Sequence, residues 1–389
     1  MPENHDSMLM IAKTVSGLEQ ALKTELDGIG ARNTEVMNRS VSFEGDKACM
    51  YRANYQCSTA LRVLLPVHVF EINTQEDLYR EIRDFPWEDH LDADATLAVD
   101  AVISYTVFTN SQFVAQKTKD AVVDRFREKT GKRPSVDLDN PTLRINVHLF
   151  KNTCTVSLDS SGQSLHKRGY RKQTGIAPIN EVLAAGLLQL SGWDRKTALL
   201  DPMCGSGTFL IEAAMLAKGI PSGYFRSEYG FMKFRDFDPS IWEEVKSYAL
   251  HNIKKVEDLR IVGFDKSVMS LKKAVENVGF AGLSSEIYLK RVAFEDSVPP
   301  SAGGVIIMNP PYDERIQLED SVAFYKMIGN VLKRKYSRYK AWVISSDLEA
   351  IKFIGLKPSR KFKVFNGPLE CRFLGFDLYE GKKSATFTD

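Results

Sequence analysis

Residues 199–209 read LLDPMCGSGTF, and residues 210–219 continue as LIEAAMLAKG. An apolar run ends on an acid, a Gly-Ser-Gly turn follows, and a helix-forming stretch comes immediately behind. That is a strand, a tight turn and a helix. Gly205 and Gly207 let the backbone pass close to a ligand without a Cβ in the way. Two phosphate-binding readings fail on the same residues. The helix start carries Thr208 but no Lys in a GK[ST] arrangement, and the third glycine of a dinucleotide fingerprint would fall at Leu210. What remains is a loop that wraps an adenosine-bearing ligand without a pyrophosphate. The competing reading is a strand-to-helix turn with no ligand.

The next acid at a strand end is Asp265, in IVGFDKS (261–267). A carboxylate there can accept both ribose hydroxyl protons. It lies 64 residues after Asp201, against roughly 20 to 30 in a minimal unit. The excess is an insertion at about 219–258, with Tyr224, Phe225, Phe231, Phe234, Phe237 and Trp242 in or beside it. It reads either as an elaboration over the cofactor or substrate mouth or as satellite core.

The third motif, GGVIIMNPPY (303–312), puts Asn309, Pro310, Pro311 and Tyr312 at the carboxyl end of a buried strand. Prolines have no N–H, so this loop presents acceptors only. The Asn309 side-chain oxygen and the Pro310 carbonyl can each take one hydrogen of an –NH₂ group. The nitrogen lone pair is then pulled out of conjugation with its ring and aimed at an electrophile. Tyr312 offers a face for a stacked base, worth roughly 1–3 kcal/mol. A strong base is unnecessary, because positioning and electrostatics supply the rate. The competing reading is a stiff Pro-Pro turn.

Outward from these motifs, strands alternate with helices from residue 177 on: TALLD, RIVGFD, EIYLKRV, GGVIIMN and YKAWVISS. This is the texture of a parallel, Rossmann-like α/β sheet. KFKVFNGPLECRFLGFDLY closes it with an antiparallel hairpin. Towards the N-terminus the texture is α+β. One unit is expected at 1–69, where VMNRSVSF reads as a single alternating strand, and a second at 70–162. The second unit contains a basic amphipathic helix, QFVAQKTKDAVVDRFREKTG. The catalytic unit is expected at 163–389, entered through a basic, glycine-bearing linker at 162–175.

The 389 residues, 43% hydrophobic and 26% charged, fit a globular chain of two or three domains. Five scattered cysteines and six unclustered histidines argue against a disulfide framework or a zinc site and for a reducing compartment. No metal is expected. The first fifteen residues lack a secretion-signal plan, and no apolar run approaches the roughly 20 residues of a membrane span. A cytoplasmic protein is expected. The net charge of +2 hides an asymmetry: residues 1–160 carry 18 Lys+Arg against 24 Asp+Glu, the rest 34 against 26. Basic clusters at 112–135, 163–173 and 333–340 point to a phosphate backbone, although each alone could be a solvated helix face.

In order and spacing these motifs resemble class I S-adenosylmethionine-dependent methyltransferases acting on exocyclic amino groups, whose signature is the Asn-Pro-Pro-Tyr loop. SQFVAQKTKDAVVDRFREKTGKRPSVD, then VSLDSSGQSLHKRGYRKQTGIAPINEVLAAGLL, is similar to a THUMP RNA-binding domain running into a bacterial guanine-N2 methyltransferase domain. The same arrangement marks the N-terminal half of RlmL-type rRNA methyltransferases and their free-standing relatives. The resemblance covers almost the whole chain. It implies a seven-stranded Rossmann-like methyltransferase domain preceded by ferredoxin-like and THUMP units, and S-adenosylmethionine as cofactor, with S-adenosylhomocysteine as product. It implies that Ala177, Pro178, Ile179, Asn180 and Glu181 close the methionine end, with Asp201, Cys204, Gly205 and Gly207 around the methionine part and Asp265 on the ribose. It adds Pro202, Thr208, Lys266, Ala293, Phe294 and Asn309 to the cofactor's surroundings. Glu295 and Asp296 are the acids nearest the expected adenine contact. Lys117, Lys119, Arg125, Lys167, Arg168, Arg171 and Lys172 become RNA contacts. The implied reaction is N2-methylation of a guanine in 23S rRNA or a large-subunit assembly intermediate. The rivals are an adenine-N6 methyltransferase on RNA or DNA and, more distantly, a non-catalytic RNA-binding protein.

Overall fold

The computed structural model describes residues 7–173, 179–311 and 318–380. In chain order the first elements are β1 Met8–Lys13, α1 Glu19–Gly28, β2 Arg32–Met37, β3 Ser40–Gly45, α2 Lys47–Gln56 and β4 Arg62–Glu71. There follow α3 Gln75–Asp84, β5 Thr96–Ser104, α4 Ser111–Thr130, β6 Ser135–Val136, β7 Leu143–Phe150 and β8 Thr153–Asp159. Next come α5 Glu181–Leu190, β9 Leu199–Asp201, α6 Thr208–Lys218, α7 Pro239–His251, β10 Ile261–Asp265 and α8 Val268–Phe280. The chain continues through β11 Ile287–Arg291, β12 Gly304–Met308, α9 Leu318–Lys335, β13 Tyr339–Ser345, β14 Arg360–Asn366 and β15 Leu369–Asp377. These elements form two compact units. The first takes the described residues up to Thr14, Leu22–Leu165 and Arg226–Tyr248; the second takes Val15–Ala21, His166–Phe225 and the described residues from Ala249 on.

One eight-stranded sheet, in the order β2-β3-β1-β4-β8-β7-β5-β6, runs through the first unit. Strand β4 joins its halves. Its start, Arg62–Leu64, pairs with β1, and Leu64–Glu71 pairs with β8. The strand therefore crosses the division expected at 69/70. Leu78 and Ile82 of α3 and Val114, Ala121, Val122 and Phe126 of α4 bury one face of β7 and β8 at Ile145, Val147, Leu149 and Val156. Each helix has a start signal that satisfies its first amides: a Thr74–Asp77 capping box for α3 and the Asn110 side chain for α4. The VMNRSVSF stretch, expected as one strand, is a hairpin. Met37 pairs with Ser40, and Arg39 turns the chain at φ 55°. Asn38, Ser40 and Ser42 fit the polar side of a two-residue alternation with Met37, Val41 and Phe43 opposite, and Arg39 alone breaks it, so the pattern hides the turn.

The inserted segment supplies core to this first unit. The Phe231 ring stacks on Tyr51 at 4.3 Å, and Trp242 stands edge-on to Tyr55 at 5.3 Å and to Phe231 at 5.2 Å.

The second unit is built on a mixed seven-stranded sheet ordered β11-β10-β9-β12-β13-β15-β14. All its pairings are parallel except those of β15 with β13 and β14. This is the expected Rossmann-like sheet with its closing hairpin. Strands buried on both faces read as unbroken apolar runs, as Val305–Met308 does. The chain leaves β9 towards β10 and β11, then returns to β12 on the other side. Ligands bind at such a switch point, outside the carboxyl ends of the strands.

Candidate active site

Asp201 ends β9, Asp265 ends β10 and Asn309 follows β12, and these three strands are direct neighbours. The Asp201 carboxylate is 2% exposed and accepts the Met203 N–H at 3.1 Å. Burial pushes its pKa well above the usual carboxylate range, and the charge of Asp265 adds to the push. Asp265 accepts the Gly205 and Ser267 N–H groups at 2.9 and 2.8 Å, so it fixes the glycine turn while keeping lone pairs for a ligand. Gly205 sits at φ +55°, and a Cβ built there meets nothing within 4 Å. The turn thus offers an open backbone cradle that a side chain would fill. Cys204, its N–H on the Phe264 carbonyl at 2.9 Å, is 6% exposed. Burial pushes its thiol well up, making it an apolar wall and not a nucleophile.

Asn180 caps α5, its side chain accepting the Val182 and Leu183 N–H groups at 2.9 and 3.3 Å. Ile179 and Glu181 are buried, and burial raises the Glu181 carboxyl. At this site two buried acceptors, Glu181 Oε2 and Asn309 Oδ1, have no hydrogen-bond partner among the described residues. Glu181 forms with Asp201 and Asp265 a donor-poor, acceptor-rich set. That set fits S-adenosylmethionine, whose ammonium and ribose hydroxyls are donors, and suits a polyphosphate poorly.

The remaining expected positions divide. Pro202, Thr208 and Pro310 are buried, and Lys266 and Pro311 are exposed. Ala293 follows the Val292 N–H, which reaches the Asp265 carbonyl at 3.2 Å, and so stands beside that acid. The Phe294 side chain turns into the core, 3% exposed and 5.7 Å from the Tyr336 ring. Glu295 and Asp296 are exposed. Ala177, Pro178 and Tyr312 lie outside the described residues.

Three expected RNA contacts need correction. The Arg168 side chain is 0% exposed and faces Glu212, with Nε and Nη2 at 3.4 and 3.5 Å, beside a Tyr170 hydroxyl that donates to Glu212 at 2.8 Å. Arg171, with 11% of its side chain exposed, is bound to Thr208 and Ile179. Arg125 forks onto Glu88 at 2.7 and 2.8 Å with 12% of its side chain exposed. Each is held inside by its acid or carbonyl partners and presents little charge to a phosphate. Lys167 and Lys172 are exposed, and Lys117 and Lys119 are half-exposed. Asn277, missed in the sequence, is fully buried and donates to the Ser206 carbonyl at 3.0 Å, bracing the glycine turn. Its only sequence signal is an amide on the inner face of α8. Among the described residues no group of His, Cys, Asp and Glu is placed to hold a metal ion, and no helix is long and apolar enough to cross a membrane. No disulfide joins the five cysteines.

Comparison with known proteins gives three domain matches. Residues 9–64 match the RlmL ferredoxin-like domain, 73–159 the THUMP domain, and 168–374 the family described as RMKL-like, methyltransferase domain. A protein of Syntrophotalea carbinolica named ribosomal RNA large subunit methyltransferase K/L is 37% identical over 382 residues, which are 95% of this chain. The chain spans about half, 53%, of that relative's length. A Synechocystis protein, provisionally named an RNA methyltransferase, is 37% identical over 95% of this chain and 96% of its own. Among solved structures, a provisionally named methyltransferase in complex with S-adenosylhomocysteine superposes with a TM-score of 0.86 at 27% identity, covering 97% of this chain and 100% of its own. A Listeria monocytogenes protein, named by prediction an N6-adenine-specific DNA methylase, gives 0.84 at 29% identity over 98% and 99%. With its glycine turn, strand-end acids and Asn309 loop on this sheet, the chain belongs to the RMKL-like methyltransferase family.

Proposed function

We propose that the protein transfers a methyl group from S-adenosylmethionine to the exocyclic N2 of a guanine in RNA, within 23S rRNA or a large-subunit assembly intermediate in the cytoplasm. The observation that carries the reading is Asn309: its Oδ1 is buried at the end of β12 without a partner among the described residues, ahead of two prolines that supply no N–H. A buried acceptor left unpaired costs about 1–3 kcal/mol, so the site gains when an amino group arrives. The cofactor, when bound, supplies an electrophilic methyl group. Asp265 holds the ribose hydroxyls while it fixes Gly205, and Asp201 and Glu181 face the ammonium. Asn309 Oδ1 and the Pro310 carbonyl accept the two amino hydrogens, which leaves the nitrogen lone pair free to attack. Tyr312 stacks on the base. A guanine must leave its stack to reach this loop, which costs a few kcal/mol unless it is unpaired. Support for RNA comes from the THUMP match and from the relatives' names, with exposed Lys167 and Lys172 and half-exposed Lys117 and Lys119 as the remaining backbone contacts.

The test separates binding from transfer. Asn309→Ala is expected to lower methyl transfer by about 10²–10³-fold and to leave S-adenosylhomocysteine affinity, measured by calorimetry, within about twofold. Asp265→Ala is expected to weaken that affinity about tenfold or more, through lost hydrogen bonds to a charged group. Full transfer activity in Asn309→Ala would falsify the clamp. Adenine N6 is the second reading, favoured by the adenine specificity in the Listeria protein's name; identification of the methylated nucleoside distinguishes the two.

A further inference from the structure

Arg171 lies in a stretch whose cations a count of charges assigns to RNA, yet its guanidinium points into the fold. Nη2 donates to the Ile179 carbonyl at 2.8 Å and to the Thr208 hydroxyl at 2.7 Å. Nε lies 3.2 Å from Glu181 Oε1, an ion pair without hydrogen-bond alignment. One side chain thereby ties the start of α5 to the start of α6. Asn277 makes a second clasp beside it. Its Nδ2 donates to the Ser206 and Gln173 carbonyls at 3.0 Å each, and its Oδ1 accepts the Lys172 and Gln173 N–H groups at 3.1 Å each. Residues 171–173 are thus stitched to the glycine turn at two points. Gly169 makes the approach possible: at φ +107° it brings the chain so close to Phe225 that a Cβ would stand 2.8 Å from that carbonyl.

We propose that Arg171 is a positioning residue for the cofactor. Acting through Ile179, Glu181 and Thr208, it sets the gap between the starts of α5 and α6 that receives the methionine end of S-adenosylmethionine. The proposal rests on the cofactor reading above. A planar guanidinium holds three partners in fixed directions, which a lysine ammonium cannot reproduce. Its charge also compensates the buried Glu181, whose second oxygen has no partner among the described residues.

Arg171→Gln and Arg171→Lys test this in the full chain. S-adenosylhomocysteine affinity is read by calorimetry, and transfer kinetics are read with cofactor and RNA varied separately. The expected result is about tenfold weaker binding for Arg171→Gln, with partial recovery in Arg171→Lys. KM for S-adenosylmethionine should rise by the same factor, with KM for RNA and kcat at saturating cofactor unchanged. A raised KM for RNA with intact cofactor affinity would overturn the proposal in favour of an RNA contact. Unchanged constants throughout would overturn it too. If the Arg171 variants fail to fold, Thr208→Val removes one of the three partners and should raise KM for the cofactor severalfold; an unchanged value contradicts the proposal. Failure of the wild-type protein to bind S-adenosylhomocysteine would instead overturn the cofactor reading itself.

Discussion

Burial pushes the carboxyl of Asp201 well above its ordinary 3.8 in the free protein. A group held that way binds its proton more tightly folded than unfolded. Stability is therefore lost as pH rises from the unfolded value through the folded one, and regained on acidification. Asp201→Asn removes the charge and keeps the shape. We expect it to raise the melting temperature of the free protein at pH 7–8, to flatten its pH dependence, and to weaken S-adenosylhomocysteine binding. A variant that binds as tightly as wild type would remove Asp201 from the site. Asp201, Asp265 and Asn309 were legible in the sequence because each ends an apolar strand beside a turn of distinctive composition. Arg125 and Arg168 were not, because composition gives charge without direction. Their partners, Glu88 and Glu212, lie 37 and 44 residues away.

Helix α4 shows the same limit one level up. Its start, length and apolar face follow from Asn110, Gly131 and the spacing of Val114, Ala121, Val122 and Phe126. Its cations do not act alike, however. Arg125 crosses to Glu88 and to the carbonyls of Arg83 and Asp84 at 3.0 and 2.9 Å, bonding α4 to the end of α3. Arg125→Gln should therefore cost about 1–3 kcal/mol of stability, read by chemical denaturation, and leave the salt dependence of RNA binding unchanged. A shallower salt slope with unchanged stability would restore it as a phosphate contact. The inserted segment was equally ambiguous as sequence, since an aromatic-rich stretch reads the same whether it lines a mouth or fills a core. Trp242, 5% exposed between Tyr55, Tyr229 and Phe231, argues for core. Trp242→Ala should destabilise the first unit by about 3–5 kcal/mol, and a loss below about 1 kcal/mol would contradict that packing role.

For the molecule as a whole, the sequence resolved the alternation that builds the second unit's sheet and the texture change that precedes it. It did not resolve how the N-terminal strands join. Pairing of β4 with β1 on one side and β8 on the other depends on partners far along the chain, and local periodicity carries no information about them. The return of Arg226–Tyr248 to the first unit is non-local in the same way. The methyl transfer to a guanine amino group of RNA proposed above concerns the chain as a whole. Its most direct test incubates the purified protein with methyl-labelled S-adenosylmethionine and rRNA lacking modification, then analyses the nucleosides by mass spectrometry. The expected label is in N2-methylguanosine, and it is lost in Asn309→Ala. Label in N6-methyladenosine, or no label under conditions where S-adenosylhomocysteine binds, would contradict the proposed transfer.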